Sequence, residues 1–217
     1  MSLRKKSISL IGMTLFGLIG ILYLISDTIL SDGFRRIENE LVYRHVDRTK
    51  NIIAERISTM QTLAGDYARW DDTYIYVKER DQKYIDANFV PETLSNLKMN
   101  FILIFNEKGE NIYSFGVEPQ SQTEIPVPQS LLNRLTVDSF TIQDTLDGKS
   151  VSGMLELSEG PLFLATHPIL KSNGDGPARG CFIFAKFFDV EELKHLAGLV
   201  NLKMTVYSVD DESLPPD

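Results

Sequence analysis

A cluster of aromatic and carboxylate side chains at positions 66–74 is the part of this sequence best suited to binding or chemistry. It reads DYARWDDTY and contains the only tryptophan of the chain. A helix over 66–80 would bring an aromatic wall and a carboxylate to one face, formed by Tyr67, Trp70 or Asp71, and Tyr74. Aromatic surface with a few polar groups is typical of a pocket for a small ligand.

The same residues also allow a structural role, in which Asp71 or Asp72 accepts backbone N–H groups while Trp70 fills the core. Catalytic interpretations have less support. Adjacent aspartates on a helix diverge, which makes them a poor acid/base pair, and the three histidines at 45, 167 and 195 lack the spacing of metal ligands. An anchored hydrolase is therefore only a third interpretation, and we expect no catalytic residue, metal or cofactor in this chain.

Positions 7–26 form an apolar run that follows three cationic residues, Arg4, Lys5 and Lys6. About 20 apolar residues cross a hydrocarbon core of roughly 30 Å as one helix. A cleaved signal peptide has a shorter apolar region, of about 7 to 15 residues, which ends in small residues. The run therefore predicts a single-pass transmembrane helix that contacts lipid.

The charges around this run predict the orientation of the chain. Cationic residues that flank a span stay in the cytoplasm, so residues 1–6 become a cytoplasmic tail and the rest lies on the outer side of the inner membrane. All thirty acidic residues follow position 26, together with nineteen of the 22 basic ones, which gives the exported part a formal charge of −11. Such an acidic domain argues against a nucleic-acid partner, since phosphate binding needs clustered Lys and Arg.

A juxtamembrane helix is predicted over 27–64. Its apolar residues recur at helical spacing on one stripe, formed by Val42, Val46, Ile53, Ile57, Met60 and Ala64. Such a stripe either packs against a second copy of the chain or forms the spine of its own domain. We expect a homodimer, and the spine stays open as the alternative.

Residues 65–209 are predicted to form the exported domain, and 210–217 a polar linker. Helices are predicted over 66–80, 82–97 with an interruption near Pro91, 129–135 and 190–199. Strands are predicted over 99–105, 111–115, 151–157, 161–170, 179–187 and 203–209, and 119–128 is predicted as a loop. Helices followed by five or six strands, joined mostly by hairpins, indicate an α+β domain. Its PAS-like antiparallel sheet carries helices on one face, and its long N-terminal helix is continuous with the transmembrane helix.

Four segments of the exported part resemble the CHASE extracellular sensory domain of the fourth type. They are RWDDTY at 69–74, YIDANF at 84–89, FNEKGENIYSFG at 105–116 and HPILKSNGDGPARGCFIFAKFFD at 167–189, and the resemblance extends over about residues 40–209. The chain departs from the family at Ala185-Lys186, where relatives tend to carry Gly-Arg. A lysine there offers a point charge in place of a planar fork.

The resemblance implies the input domain of a histidine kinase or a diguanylate cyclase, the latter an enzyme of cyclic di-GMP signalling. By position it points to five residues, namely Trp70, Asp71, Asp72, Tyr74 and Asn88. We assign ligand contact to Trp70, Asp71, Tyr74 and Asn88, and a supporting role to Asp72, Tyr67 and Lys186. The expected ligand is a small extracytoplasmic molecule, and any catalytic output domain would lie beyond residue 217.

A second interpretation comes from a different class of protein. It is a membrane-tethered interaction or scaffold protein that binds no small ligand and docks onto another envelope protein. One dominant stoichiometric partner in a pull-down would favour it, whereas saturable binding of a small molecule would favour the receptor.

Trp70→Ala tests the predicted pocket. If Trp70 contacts the ligand, a compound that raises the thermal midpoint of the wild-type chain should lose that effect in the variant, provided that the variant still folds. Binding that remains unchanged would contradict a pocket walled by Trp70.

Overall fold

The computed structural model describes residues 3–200 and 204–205. The chain divides into two units, one within Met1–Lys50 and one within Asn51–Asp217. The predicted strand at 203–209 and the linker at 210–217 lie almost entirely outside the described residues.

The first unit is helical and belongs to α1, which is assigned from Leu3 to Ala68. Its segment Lys6–Tyr23 has a mean hydropathy of 1.6, and by length and composition alone it is the one described helix able to cross a membrane. The large apolar side chains described in this segment are exposed. The segment overlaps the predicted span at 7–26, and the membrane anchor itself stays a prediction.

The second unit begins with the last five turns of α1 and continues through six helices and six strands. The helices are α2 (Asp71–Glu79), α3 (Gln82–Asn88), α4 (Pro91–Leu97), α5 (Gln129–Arg134), α6 (Phe140–Leu146) and α7 (Val190–Val200). The strands are β1 (Phe101–Asn106), β2 (Asn111–Glu118), β3 (Thr123–Glu124), β4 (Ser152–Leu157), β5 (Gly160–Pro168) and β6 (Gly180–Phe187).

The six strands form one antiparallel sheet in the order β3-β2-β1-β6-β5-β4. Consecutive strands pair with one another except β3 and β4, which form the two edges. The ladder between β1 and β6 joins the two halves, so that Phe101 lies opposite Ala185 and Phe105 opposite Cys181. Both central strands are buried on both faces, which explains their unbroken apolar sequences. The predicted α+β class with an antiparallel sheet of five or six strands is confirmed.

Helices cover both faces of the sheet, and the expectation that they lie on one face is wrong. Ile102 and Ile104 face a core that includes α1, α2, α3, α4 and α7. The alternate residues of β1, Phe101 and Leu103, face a second core that is closed by α5 and α6. The sequence predicts α5, as the helix over 129–135, but not α6, and both helices pack on this second face.

Two boundaries differ from the sequence prediction, and a third agrees with it. The predicted helix over 66–80 is broken, because α1 ends at Ala68 and α2 begins at Asp71. The predicted loop at 119–128 contains the short edge strand β3, which pairs with the end of β2. The interruption near Pro91 is confirmed, since Val90 is extended and Pro91 is the first residue of α4, where its missing N–H costs nothing.

The apolar stripe of α1 supplies the spine of the second unit. Met60 and Ala64 are buried against the sheet, and Ile53 and Ile57 pack around them as half-buried residues. Val42 and Val46 belong to the first unit and are exposed. The stripe thus serves as the spine over its second half, while dimerisation through its first half stays a prediction.

Gly180→Ala should strongly destabilise the second unit. A Cβ at position 180 would lie 2.1 Å from the carbonyl oxygen of Phe105, at the point where β6 meets β1. Since the obstacle is backbone, we expect the free energy of unfolding to fall by about 3 kcal/mol or more. The measurement is urea unfolding of the full chain in detergent.

Gly153→Ala is the matched control, because a Cβ on this residue of β4 would meet nothing within 4 Å. It should change the free energy of unfolding by less than about 0.5 kcal/mol. Equal stability of the two variants would contradict the close approach of β1 and β6.

Candidate functional site

The predicted ligand-binding cluster lies at the break between α1 and α2. Trp70 is extended, with φ −70° and ψ 134°, and precedes the first residue of α2. The Tyr74 N–H donates to the Trp70 carbonyl at 3.0 Å, which closes the first turn of α2. The cluster is therefore the start of a helix, and the shared helical face expected for Tyr67, Trp70 and Tyr74 does not exist.

Asp71 fastens the loop between β5 and β6 to this helix start. Its carboxylate accepts from the backbone N–H and from the hydroxyl of Ser172, both at 3.0 Å. The backbone bond and then the hydroxyl bond hold the pKa of Asp71 below its ordinary value. Asp72 is exposed and forms no hydrogen bond or ion pair with the described residues.

Tyr74 is buried beneath the same loop. The Arg179 guanidinium carbon lies 3.6 Å from the Tyr74 ring centroid, a cation–π contact. Arg179 Nη1 also donates to the Tyr74 carbonyl at 3.1 Å. Arg179 of the loop thus contacts both the ring and the backbone of Tyr74.

The rings of Tyr67 and Trp70 are in contact, tilted by 32°, with their centroids 4.4 Å apart. Tyr67 points into the core, where its ring meets Phe182 and Phe184 of β6, while Trp70 remains 38% exposed. Trp70 is therefore the aromatic side chain of the cluster with the most surface left for a partner.

Three further polar side chains of this region, two with hydroxyls and one with an amide, form hydrogen bonds within the chain. Thr73 Oγ1 donates to the Tyr67 carbonyl at 2.7 Å, so Tyr84 donates its phenolic proton to Thr73 Oγ1 at 2.5 Å. Burial raises the pKa of Tyr84, which keeps that proton in place. Asn88 Nδ2 donates to the Tyr84 carbonyl at 2.8 Å, within its own helix.

The described contacts of Asp71, Tyr74 and Asn88 thus brace the α1–α2 junction, the β5–β6 loop and α3. The three cavities described below are lined by none of these residues, nor by Trp70. Their assignment as ligand contacts stays a prediction.

A cavity of about 310 Å³ lies elsewhere, between α1, the turn after α4, the end of β2 and α7. We call it the charged cleft. Its charged lining residues include Arg56, Lys98, Glu118, Lys186, Glu191 and Glu192. A smaller cavity of about 80 Å³ adjoins it and shares four of them, namely Arg56, Lys98, Lys186 and Glu192.

Glu192 is the centre of the charge network in this cleft. Its carboxylate is paired with Lys186 through Oε2 and with Arg56 through Oε1, at 3.4 Å from Arg56 Nε. Oε1 is buried and accepts no hydrogen bond from a described residue, so its compensation is this ion pair. Burial opposes the charge, but Lys186 and Arg56 outweigh it and hold the pKa of Glu192 below its ordinary value.

Two more contacts hold the first half of α7. The Asp189 carboxylate accepts from the Glu192 N–H at 2.8 Å, as a helix cap. Arg56 Nη2 donates to His195 Nδ1 at 2.9 Å. Since a guanidinium only donates, Nδ1 of His195 is the acceptor in this contact.

Lys98 adds a free cation to the cleft. It ends α4 in the left-handed conformation, with φ 57°, and its side chain is exposed. Its ammonium forms no ion pair or hydrogen bond with any residue that the structure describes. The same holds for the carboxylates of Glu118 and Glu191 across the described ranges.

A second cavity of about 310 Å³ is an open polar groove beside α1, lined by Gln61, Gly65, Asp66, Arg69 and His167 among others. His167 is buried against Gly65, and burial lowers its pKa. Its Nδ1 lies 3.0 Å from the Pro168 carbonyl, so this nitrogen carries the proton. The imidazole of His167, on β5, therefore packs against Gly65 of α1 and has a structural role.

Sequence reasoning singled out Lys186 and missed Arg56, Lys98 and Glu192. Arg56 and Glu192 lie on predicted helices, where a single charge forms no local pattern. The signal that could have been used is the N-terminal turn of α7, where Asp189 and Glu192 have capping spacing.

Solved structures of sensor domains contain a similar fold. The chain superimposes with a TM-score of 0.51 on a domain described as the extracellular part of a histidine kinase, vpHK1S-Z8, at 14% identity, covering 76% of this chain and 60% of that one. The sensor domain of the Vibrio cholerae histidine kinase DctB matches with a TM-score of 0.46 at 9% identity, over 70% of this chain and 55% of that one.

The family is given by the sequence itself. The CHASE4 domain model matches residues 52–207. This chain belongs to the CHASE4 family, as the four resembling segments predicted, and the matched part is a sensory input domain.

The chain is also similar to the methanogenesis regulatory histidine kinase FilI of Methanothrix harundinacea strain 6Ac. The two are 29% identical over 220 residues, which is 98% of this chain and 24% of FilI. The chain thus spans about a quarter of that relative.

Asp71→Asn should weaken the attachment of the β5–β6 loop in a pH-dependent way. Because the folded pKa is lowered, Asp71 contributes stability that is complete above its ordinary value of 3.8 and is lost as the pH falls through the lower folded value. The thermal midpoint of the variant should therefore lie below that of the wild type at neutral pH, and the difference should shrink below about pH 4.

Asp72→Asn is the matched control, since it removes a charge from the same helix start without removing a described hydrogen bond. It should change the midpoint less than Asp71→Asn at neutral pH. The same loss in both variants would mean that charge at the helix start matters and the bonds to Ser172 do not.

Proposed function

We propose that this chain is the input domain of a membrane-anchored signal-transduction receptor, held on the outer side of the membrane, that binds a small ligand in the charged cleft. The observation that carries the proposal is the meeting of α1 and α7 at one buried carboxylate. Arg56 of α1 and Lys186 of β6 both pair with Glu192 of α7.

The cleft offers a direct route from occupancy to conformation. A ligand that enters it lies beside ion pairs that hold α1 to α7, so binding favours one arrangement of the two helices over another. A swing from 1:99 to 99:1 requires that the ligand prefer one state by about 5.5 kcal/mol. A ligand that exchanges the charge partners of Glu192 and Arg56 would create such a preference, because breaking a buried ion pair has a large free-energy cost.

The membrane anchor in this proposal is the segment Lys6–Tyr23, with Arg4 and its neighbouring lysines in the cytoplasm. The receptor acts as a homodimer through the part of α1 that lies in the first unit, where Val42 and Val46 are 56% and 44% exposed. An apolar stripe left exposed on a helix is suited to pairing with a second copy.

The output is a histidine kinase, by similarity to FilI over almost the whole of this chain. A diguanylate cyclase is the second candidate output, because the family resemblance extends to such enzymes. Neither activity resides in the described residues of the sensory domain.

A binding screen with a distance measurement tests the proposal. The full chain in detergent is screened by thermal unfolding against amino acids, carboxylates, amines, sugars and phosphate. Each stabilising compound is then added to a Glu55→Cys/Lys194→Cys variant with spin labels on α1 and α7. We expect the distance distribution to change with a compound that stabilises, because the cleft lies between these helices.

Cys181 is fully buried and does not interfere with labelling. Labels at Lys78→Cys and Lys108→Cys, both exposed and away from the cleft, are the control pair and should report no change. If no compound stabilises the chain and a pull-down from membranes returns one stoichiometric protein, the scaffold interpretation replaces the receptor.

A further inference from the structure

We infer that the charged cleft takes a small zwitterion, a molecule that carries a carboxylate and an ammonium group, as a free amino acid does. This inference rests on the proposed function and assigns the chemical class of the ligand. It depends on which charges in the cleft are already compensated and which are not.

The inner charges of the cleft are paired with one another. Glu192 is 8% exposed and has two cationic partners, Lys186 and Arg56. Losing both partners would leave a buried charge uncompensated, which is costly. These three residues therefore form the floor of the site, where two cations share one carboxylate and a single positive charge is left in excess.

The outer charges are left without partners among the described residues. Lys98 supplies an ammonium that also lines the small adjoining cavity, next to Arg56 and Lys186. Glu118 supplies a carboxylate from the last residue of β2, and Glu191 supplies one from the first turn of α7. A ligand carboxylate would meet Lys98 on the cationic side, and a ligand ammonium would meet Glu118 and Glu191.

Size and polarity narrow the class further. A volume of about 310 Å³ is at the lower end for ligand pockets, and charged lining disfavours a large apolar molecule. A plain anion would face Glu118 and Glu191 without compensation, and a plain amine would face Lys98. Only a ligand with both charges pairs with Lys98 on one side of the cleft and with Glu118 and Glu191 on the other.

The position of Lys98 connects this ligand to the charge network. Lys98, Arg56, Lys186 and Glu192 line both cavities, so a carboxylate bound at Lys98 is a neighbour of Glu192. It adds a negative charge where two cations now serve one buried carboxylate. The contact of Arg56 with α7 is the one that this charge perturbs first.

The test measures the full chain in detergent by isothermal titration and thermal unfolding. The probes are the common L-amino acids, followed by matched derivatives of each one that binds. The amide retains only the ammonium, and the N-acetyl derivative retains only the carboxylate. We expect each derivative to bind at least about tenfold more weakly than its parent, since each lacks one charge-assisted contact.

Two variants test the cationic and the anionic side of the cleft separately. Lys98→Gln should abolish the preference for the parent over its amide, while the preference over the N-acetyl derivative remains. The double variant Glu118→Gln/Glu191→Gln should do the reverse. Lys108→Gln and Glu107→Gln, exposed neighbours in the β1–β2 turn, are the matched controls and should leave both preferences unchanged.

Each outcome decides the inference. A carboxylate-only or amine-only compound that binds as tightly as the parent, and is lost in Lys98→Gln or the double glutamate variant, overturns the zwitterion and leaves the receptor proposal intact. Binding of amino acids that survives Lys98→Gln but is lost in Trp70→Ala moves the site to the α1–α2 junction and overturns the assignment to the cleft. Failure of every compound in the broader screen overturns both the ligand class and the receptor proposal.

Discussion

The pairing of β1 with β6 is the constraint on which the rest of this domain depends. It joins strands that are far apart in sequence and places the two ends of the domain side by side. Because β1 follows α4 and β6 leads into α7, this single ladder brings Lys98, Lys186 and Glu192 to one cleft. Gly180 allows the two backbones to approach closely at one end of the ladder. A charge network between the first and last helices is thus a result of strand order.

Periodicity and turn chemistry predicted most of the fold, because β1, β5 and β6 are apolar runs bounded by turn residues. The break in the helix at Arg69-Trp70 could not be predicted in the same way, since its cause is tertiary. Asp71 is held by Ser172, and Tyr74 is held by Arg179, each from a loop about a hundred residues later. Likewise α6 is short and covers a face whose existence depends on the completed sheet.

The candidate site illustrates the same limit. Sequence reasoning found the aromatic and acidic cluster because its residues are adjacent, and the described contacts of Asp71, Tyr74 and Asn88 are internal. The charged cleft draws on residues spread from Arg56 to His195, which no local pattern connects. Lys186 was noticed only as a departure from relatives. Residues that are close in sequence were therefore easier to find than residues that are close in space.

The way α7 is attached determines how it can move. Its first turn is fixed by the Asp189 cap and by the pairing of Glu192, and Leu196 and Val200 are buried in its second and last turns. A helix that is held along its whole length shifts as a rigid body and does not tilt about one end. At 1.5 Å per residue α7 is roughly 16 Å long, so a displacement at Glu192 is carried over that length to Val200. A change of ångström size in the cleft thus reaches the last turn of α7 as a translation of the same size.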